Sequence, residues 1–285
     1  MIYCVVKIIL MIIFIDSERT VTIMKRTLGL NADCIRGGFT YGNIIKLKEA
    51  GFDGFFVCAT QAGVSKYKDI SDSVGLNFEF IHAPFAGINA MWEEGDGYQR
   101  IFNSMKVTIE TAGSVGVPVV VLHLSSGWEP PAVSEIGLKR YDQLVAFAKQ
   151  KNVKIAFENL RNVENVRAIM ERYKDESAVG YCYDAGHEHC YTEGVDWIHE
   201  FGDKLLCVHI HDNFGYDRSC DPDIHILPFD GNVDYADMMR RLDDVGFEGC
   251  LMLEVFNNTK PEYSEMTEDE FIATCYDRIK KISEL

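Results

Sequence analysis

The chain has 285 residues, 47% hydrophobic and 25% charged, enough to bury a large core without a disulfide or a structural metal. Its 44 acidic against 28 basic residues, net charge −16, argue against a broad phosphate-gripping face, so no nucleic-acid partner is expected. Nine cysteines form no CxxC pair, and Cys58, Cys182, Cys207 and Cys250 sit in apolar runs as small core residues, which suggests a reducing, cytoplasmic setting.

The N-terminus is unusual. Residues 1–15 (MIYCVVKIILMIIFI) are apolar but short for a membrane span, and Asp16-Ser17-Glu18-Arg19 follows where a signal peptide would carry small residues. Met24-Lys25-Arg26 reads as a natural start. Residues 1–23 are therefore expected to be an extension from a mis-assigned start, with an extra strand or helix and a membrane-associating segment as the alternatives, and residues 24–285 a single catalytic domain. Overall, no membrane partner is expected.

From residue 27 onward, short apolar runs rich in β-branched and aromatic residues alternate with amphipathic stretches. The predicted strands are 27–32, 53–58, 77–82, 118–123, 153–158, 178–184, 204–211 and 249–255, each reading as buried on both faces. The predicted helices are 41–50, 62–74, 96–115, 134–150, 163–173, 195–201, 234–245 and 267–283, several closed by a glycine such as Gly51 or Gly246. Eight strand–helix units give an α/β fold of the closed (β/α)8 TIM barrel type. An open doubly wound sheet is the alternative, but no GxGxxG follows the first strand, so its dinucleotide-binding form is unsupported.

The strand ends carry the chemistry. Strand three ends at His82, strand four at His123 and strand five at Glu158. Strand six ends at Asp184 with His187 three residues on. Strand seven carries His209 and His211, strand eight carries Glu254, and the loop after strand seven adds Asp223 and His225. Any one of these has an ordinary reading, as a structural histidine or a helix cap, and His189 and His199 keep it. Ligand-type residues on six consecutive strands do not, because side chains at strand C-termini converge on the barrel mouth, where burying them unpaired is costly. A divalent cation (Mn, Zn, Co or Mg) would pair them. Glu158 and Glu254 are expected across the mouth from one another. A metal between them would acidify a C–H beside a carbonyl, and a carboxylate would take the proton. That chemistry serves an aldose–ketose isomerase or ketose epimerase acting on a small sugar. Phe85, Trp92 and Trp128 lie in mouth loops; Trp92 is taken as a sugar-stacking residue, Phe85 rather as loop packing.

The segments IHAPF (81–85), VVLHLSSG (120–127), AFENL (156–160), CYDAGH (182–187), VHIHDN (208–213), DPDIHILPFDGNVDY (221–235) and LMLEVF (251–256) resemble the xylose isomerase-like barrel superfamily, which includes sugar phosphate isomerases/epimerases and apurinic-site endonucleases. The resemblance implies that Glu158, Asp184, His209 and Glu254 ligate a central metal, with Glu158 and Glu254 also catalytic, and that His187 contacts substrate or a further metal. The endonuclease group holds three zinc ions, and its additional ligand positions match His82, His123, His187, Asp223 and His225. A multi-zinc phosphodiesterase of the abasic-site type is therefore the alternative function. Ketose epimerases of the superfamily place a substrate-binding arginine soon after the strand-seven histidine; Arg218 lies near that position at a longer spacing. The particular sugar, its phosphorylation and a homo-oligomeric state are left open.

Overall fold

The computed structural model describes residues 26–36, 40–58 and 63–285; the predicted extension 1–23 lies outside them. Eight parallel strands alternate with helices: β1 (Leu28–Asn31), α1 (Thr40–Ala50), β2 (Gly54–Cys58), α2 (Val64–Val74), β3 (Asn77–His82), α3 (Gln99–Val115), β4 (Val119–Leu122), α4 (Glu135–Lys151), β5 (Lys154–Glu158), α5 (Val163–Arg172), β6 (Val179–Asp184), α6 (Ala185–Tyr191), α7 (Trp197–Phe201), β7 (Leu205–His209), α8 (Tyr235–Asp244), β8 (Leu251–Leu253), α9 (Pro261–Ser264) and α10 (Glu268–Ser283). The strand order is β7-β6-β5-β4-β3-β2-β1-β8. The ends meet where the Ile210 amide donates to Met252 O at 2.8 Å and the Glu254 amide to Ile210 O at 3.0 Å, giving the expected TIM barrel.

Local chemistry sets the helix ends. Ser134, Asn162 and Asp184 cap α4, α5 and α6 through their side chains, and Thr267 with Glu270 forms a capping box on α10. Gly75 and Gly116 close α2 and α3 in the left-handed region. Four short elements escaped the sequence reading: α6, α9 and 3-10 turns over Ile88–Trp92 and Gly202–Lys204. Each is too short to show a helical period.

Two apolar layers result from the period-two alternation of side chains. One fills the space between strands and helices. The other fills the barrel and includes Phe56, Phe80, Val121, Ala156, Cys182, Cys207 and Met252. Two residues beyond these seven, on the same inward face, stand Cys58, His82, His123, Glu158, Asp184, His209 and Glu254. The interior packing thus forms the floor on which the polar residues sit.

Candidate metal centre

Glu158 is the hub. Fully buried, it turns Oε2 toward the Nε2 atoms of His123 (3.1 Å) and His82 (3.2 Å), which are 3.1 Å from each other. Its Oε1 lies 3.2 Å from His209 Nδ1 and 3.3 Å from His187 Nδ1. His209 Nδ1 in turn lies 3.2 Å from Glu254 Oε2 and 3.7 Å from Asp184 Oδ2. A third group follows: Asp223 approaches His187 Nε2 at 3.1 Å, His225 Nε2 at 3.2 Å and His211 Nε2 at 3.5 Å.

These form three adjoining donor sets, His82/His123/Glu158, Glu158/Asp184/His209/Glu254 and His187/His211/Asp223/His225, and a fourth group, Glu158/Cys182/His209, that shares two members with the central set; the donor atoms of each lie within 4.8 Å of one another. Donors around a tetrahedral divalent ion with bonds of about 2.1 Å stand roughly 3.4 Å apart. Several of the buried atoms have no hydrogen-bond partner: Asp184 Oδ2, His211 Nε2 and Asp223 Oδ1. Spacing, donor types and orphaned atoms all fit divalent cations.

The protein scaffold fixes these donors. Asp184 caps α6 with Oδ1, accepting from the His187 amide at 2.6 Å, which fulfils the cap reading and leaves Oδ2 turned toward the central set. Asn159 clamps β5 to β6, donating to Asp184 O at 2.8 Å and accepting from the Asp184 amide at 2.7 Å. A Cβ at Gly186 would fall 2.0 Å from the His211 ring, so only glycine lets α6 start there. Buried Asp212 gathers the amides of Asn213, Phe229, Gly231 and Val233 at 2.8–3.1 Å and shapes the loop after β7. His225, held at φ 45° in that loop, stacks on His211 with centroids 3.9 Å apart.

The charges are strongly coupled. Burial works against ionising these groups, but the opposite charges outweigh it. Glu254 and Glu158 raise His209 to about 10, and Asp223 raises His225 to about 10. His209 and His123 hold Glu158 well below the carboxylate range; His225 and His187 do the same to Asp223. His123 departs downward, because for it burial prevails over the pull of Glu158.

A cavity of about 360 Å³ opens above the donors, walled by Phe85, His123, His187, His225, Glu254 and Phe256 among others. Glu158, Asp184 and His209 are fully buried and do not line it. Of the two carboxylates read as catalytic, Glu254 reaches the cavity, while both oxygens of Glu158 face imidazoles.

Three aromatic and basic expectations need correction. Trp92 is 3% exposed, donates its indole N–H to Leu124 O and packs against Tyr141, so it belongs to the core under the mouth loop. Arg218 is half exposed, lies over the Trp128 ring with its guanidinium 4.0 Å from Glu129, and does not line the cavity; its longer spacing carries it outward. Phe85 does line the cavity and stacks on His123 with centroids 4.2 Å apart. His211 was legible as a strand-seven histidine, but its membership of the third set was missed. Its parity with His209 was the signal.

Residues 44–274 match the model of the xylose isomerase-like TIM barrel. The chain belongs to this family. It is 33% identical over 177 residues to the uncharacterised protein y4fM of Sinorhizobium fredii, covering 57% of this chain and 54% of that protein. It is 26% identical over 193 residues to the inosose isomerase of Halalkalibacterium halodurans (64% and 67% covered), and 32% identical over 146 residues to a probable endonuclease 4 of Acholeplasma laidlawii (47% and 47% covered). The fold of the IOLI protein with a bound zinc atom superposes with a TM-score of 0.74 at 19% identity, covering 90% of this chain and 98% of that one. Relatives and structural neighbours thus include carbohydrate isomerases and epimerases as well as endonucleases. Among the described residues, no helix is long and apolar enough to cross a membrane.

Proposed function

We propose that this family member is a metal-dependent isomerase or epimerase that moves a proton on a carbon next to a carbonyl of a small sugar. The observation that carries this reading is Glu254, a carboxylate that belongs to the central donor set and also faces a cavity of about 360 Å³, the scale of one small ligand. Glu158, Asp184, His209 and Glu254 would hold the central ion. When bound, such an ion supplies Lewis-acid polarisation of a carbonyl and its neighbouring hydroxyl. Glu254 would take the proton at the oxygen not turned toward His209. Phe85, which lines the cavity and is half exposed, gives an apolar face for a sugar ring to pack on.

A second reading, a multi-zinc phosphodiesterase, is favoured by one observation: Glu158 is shared between two donor sets, with a third set adjoining. The net charge of −16 opposes a DNA substrate. The deciding experiment incubates metal-loaded protein with small ketoses and their phosphates in deuterated water, and separately with abasic-site DNA. Metal-dependent deuterium incorporation, lost in Glu254→Gln, is the expected result. Robust DNA incision that falls in His82→Ala, with no exchange in any sugar, would reverse the order of the two readings.

A further inference from the structure

Arg36 is the one lysine or arginine among the described residues that line the cavity. Its guanidinium carbon lies over the Phe256 ring, 3.8 Å from the centroid, and its backbone amide donates to Asn257 Oδ1 at 2.8 Å. The contact with Phe256 gives the exposed side chain a surface to lie on and leaves its N–H donors open to solvent. Among the described residues no carboxylate lies within 4.0 Å of it, whereas Arg167, Arg172, Arg240, Arg241 and Arg278 are all ion-paired. Burial raises the Asp33 carboxyl, and the nearby Arg36 charge works against that rise without forming an ion pair within 4.0 Å. Asn258 and Thr259 also line the cavity; the Thr259 hydroxyl donates to Phe256 O at 2.9 Å, so the added donor is Asn258.

A guanidinium with no carboxylate partner among the described residues, on the wall of a ligand cavity, offers a seat for an anion from outside the chain. We infer that Arg36, with Asn258, seats an anionic group of the substrate, phosphate or carboxylate, so that the substrate is a sugar acid or sugar phosphate rather than a neutral sugar. This rests on the carbonyl-compound reading of the donor sets. The anion sits at Arg36 on the wall beside Phe256, while the reacting carbons lie toward Glu254 and the histidines. A guanidinium suits either oxyanion because its fork matches two oxygens at once.

The test uses three small probes with one hydroxyketone head: dihydroxyacetone, dihydroxyacetone phosphate and hydroxypyruvate. Their dissociation constants are measured by calorimetry on the zinc-loaded full chain, wild type, Arg36→Met and Arg36→Lys. At least one anionic probe is expected to bind about tenfold or more tightly than dihydroxyacetone, consistent with one charge-assisted contact. In Arg36→Met that ratio falls to near one, and Arg36→Lys keeps part of it. Whichever anion shows the larger ratio identifies the source, phosphate or carboxylate. Equal binding of neutral and anionic probes by the wild type, or a preference that survives Arg36→Met, overturns the inference; in the latter case the anion sits on the metal ions. The exchange assay above is separate: an Arg36-dependent preference without exchange in any sugar removes the proposed reaction and leaves the subsite, and exchange on neutral ketoses with no preference does the reverse.

Discussion

Sharing of one carboxylate by two donor sets makes an unequal prediction about metal content. Glu158→Gln keeps the shape of the side chain and removes its charge, so both His82/His123/Glu158 and Glu158/Asp184/His209/Glu254 lose their common ligand. His82→Ala and Asp223→Asn each touch one set. With zinc at 100 times each dissociation constant, an occupied site adds about 2.7 kcal/mol of stability, so two lost sites remove about 5 kcal/mol of zinc-dependent stabilisation. For a chain of this size that is on the order of 10 °C or more in the zinc-induced rise of Tm. Native mass spectrometry and elemental analysis count the ions, and thermal melts with and without zinc measure the rise. Glu158→Gln is expected to lose two equivalents where each of the other variants loses one. A Glu158→Gln protein that keeps its full zinc content, or loses no more than His82→Ala does, would show that Glu158 is not the shared ligand and that the orphaned atoms need another explanation.

Glu254→Gln should lower the deuterium-exchange rate by at least about 100-fold, the usual scale for loss of a general base; because Glu254 also belongs to the central donor set, elemental analysis of the variant separates loss of the base from loss of the ion. The metal-free protein has a defined pH signature. His209 and His225 stand at about 10, above the unfolded value near 6.5, so their contribution is complete below about pH 6.5 and is lost as the pH rises through about 10. The Tm of chelator-treated protein should therefore fall over that window, and zinc added at pH 7.5 should release protons into a weakly buffered indicator solution; a flat Tm and no proton release would contradict the coupling. Asp212→Ala strips the acceptor from four backbone amides and should cost on the order of 3–5 kcal/mol in urea melts, with zinc lost first from the set containing His211 and His225. Trp92→Phe should cost about 1–2 kcal/mol through the unpaired Leu124 carbonyl while leaving zinc content and exchange rate intact; a large rise in KM instead would return Trp92 to the substrate site.

The sequence by itself determined the barrel and most of its mouth. Strands buried on both faces must be apolar, so the polar residues that end them, His82, His123, Glu158, Asp184, His209 and Glu254, stand out against the period-two background. Tertiary structure decided how those residues divide. Which oxygen of Glu158 faces which imidazole depends on the stagger of β3, β4, β5 and β7 around the barrel, and no spacing along the chain encodes it. The same holds for the loops. Trp92 turns into the core because Gly137 on α4 leaves room beneath its ring, a contact 45 residues away in sequence. Arg36 faces the cavity because Phe256, at the opposite end of the chain, gives it a surface to lie on when β8 closes against β1. Residue types and their parity are written locally; their partners are set by closure of the barrel, which joins the first strand to the last.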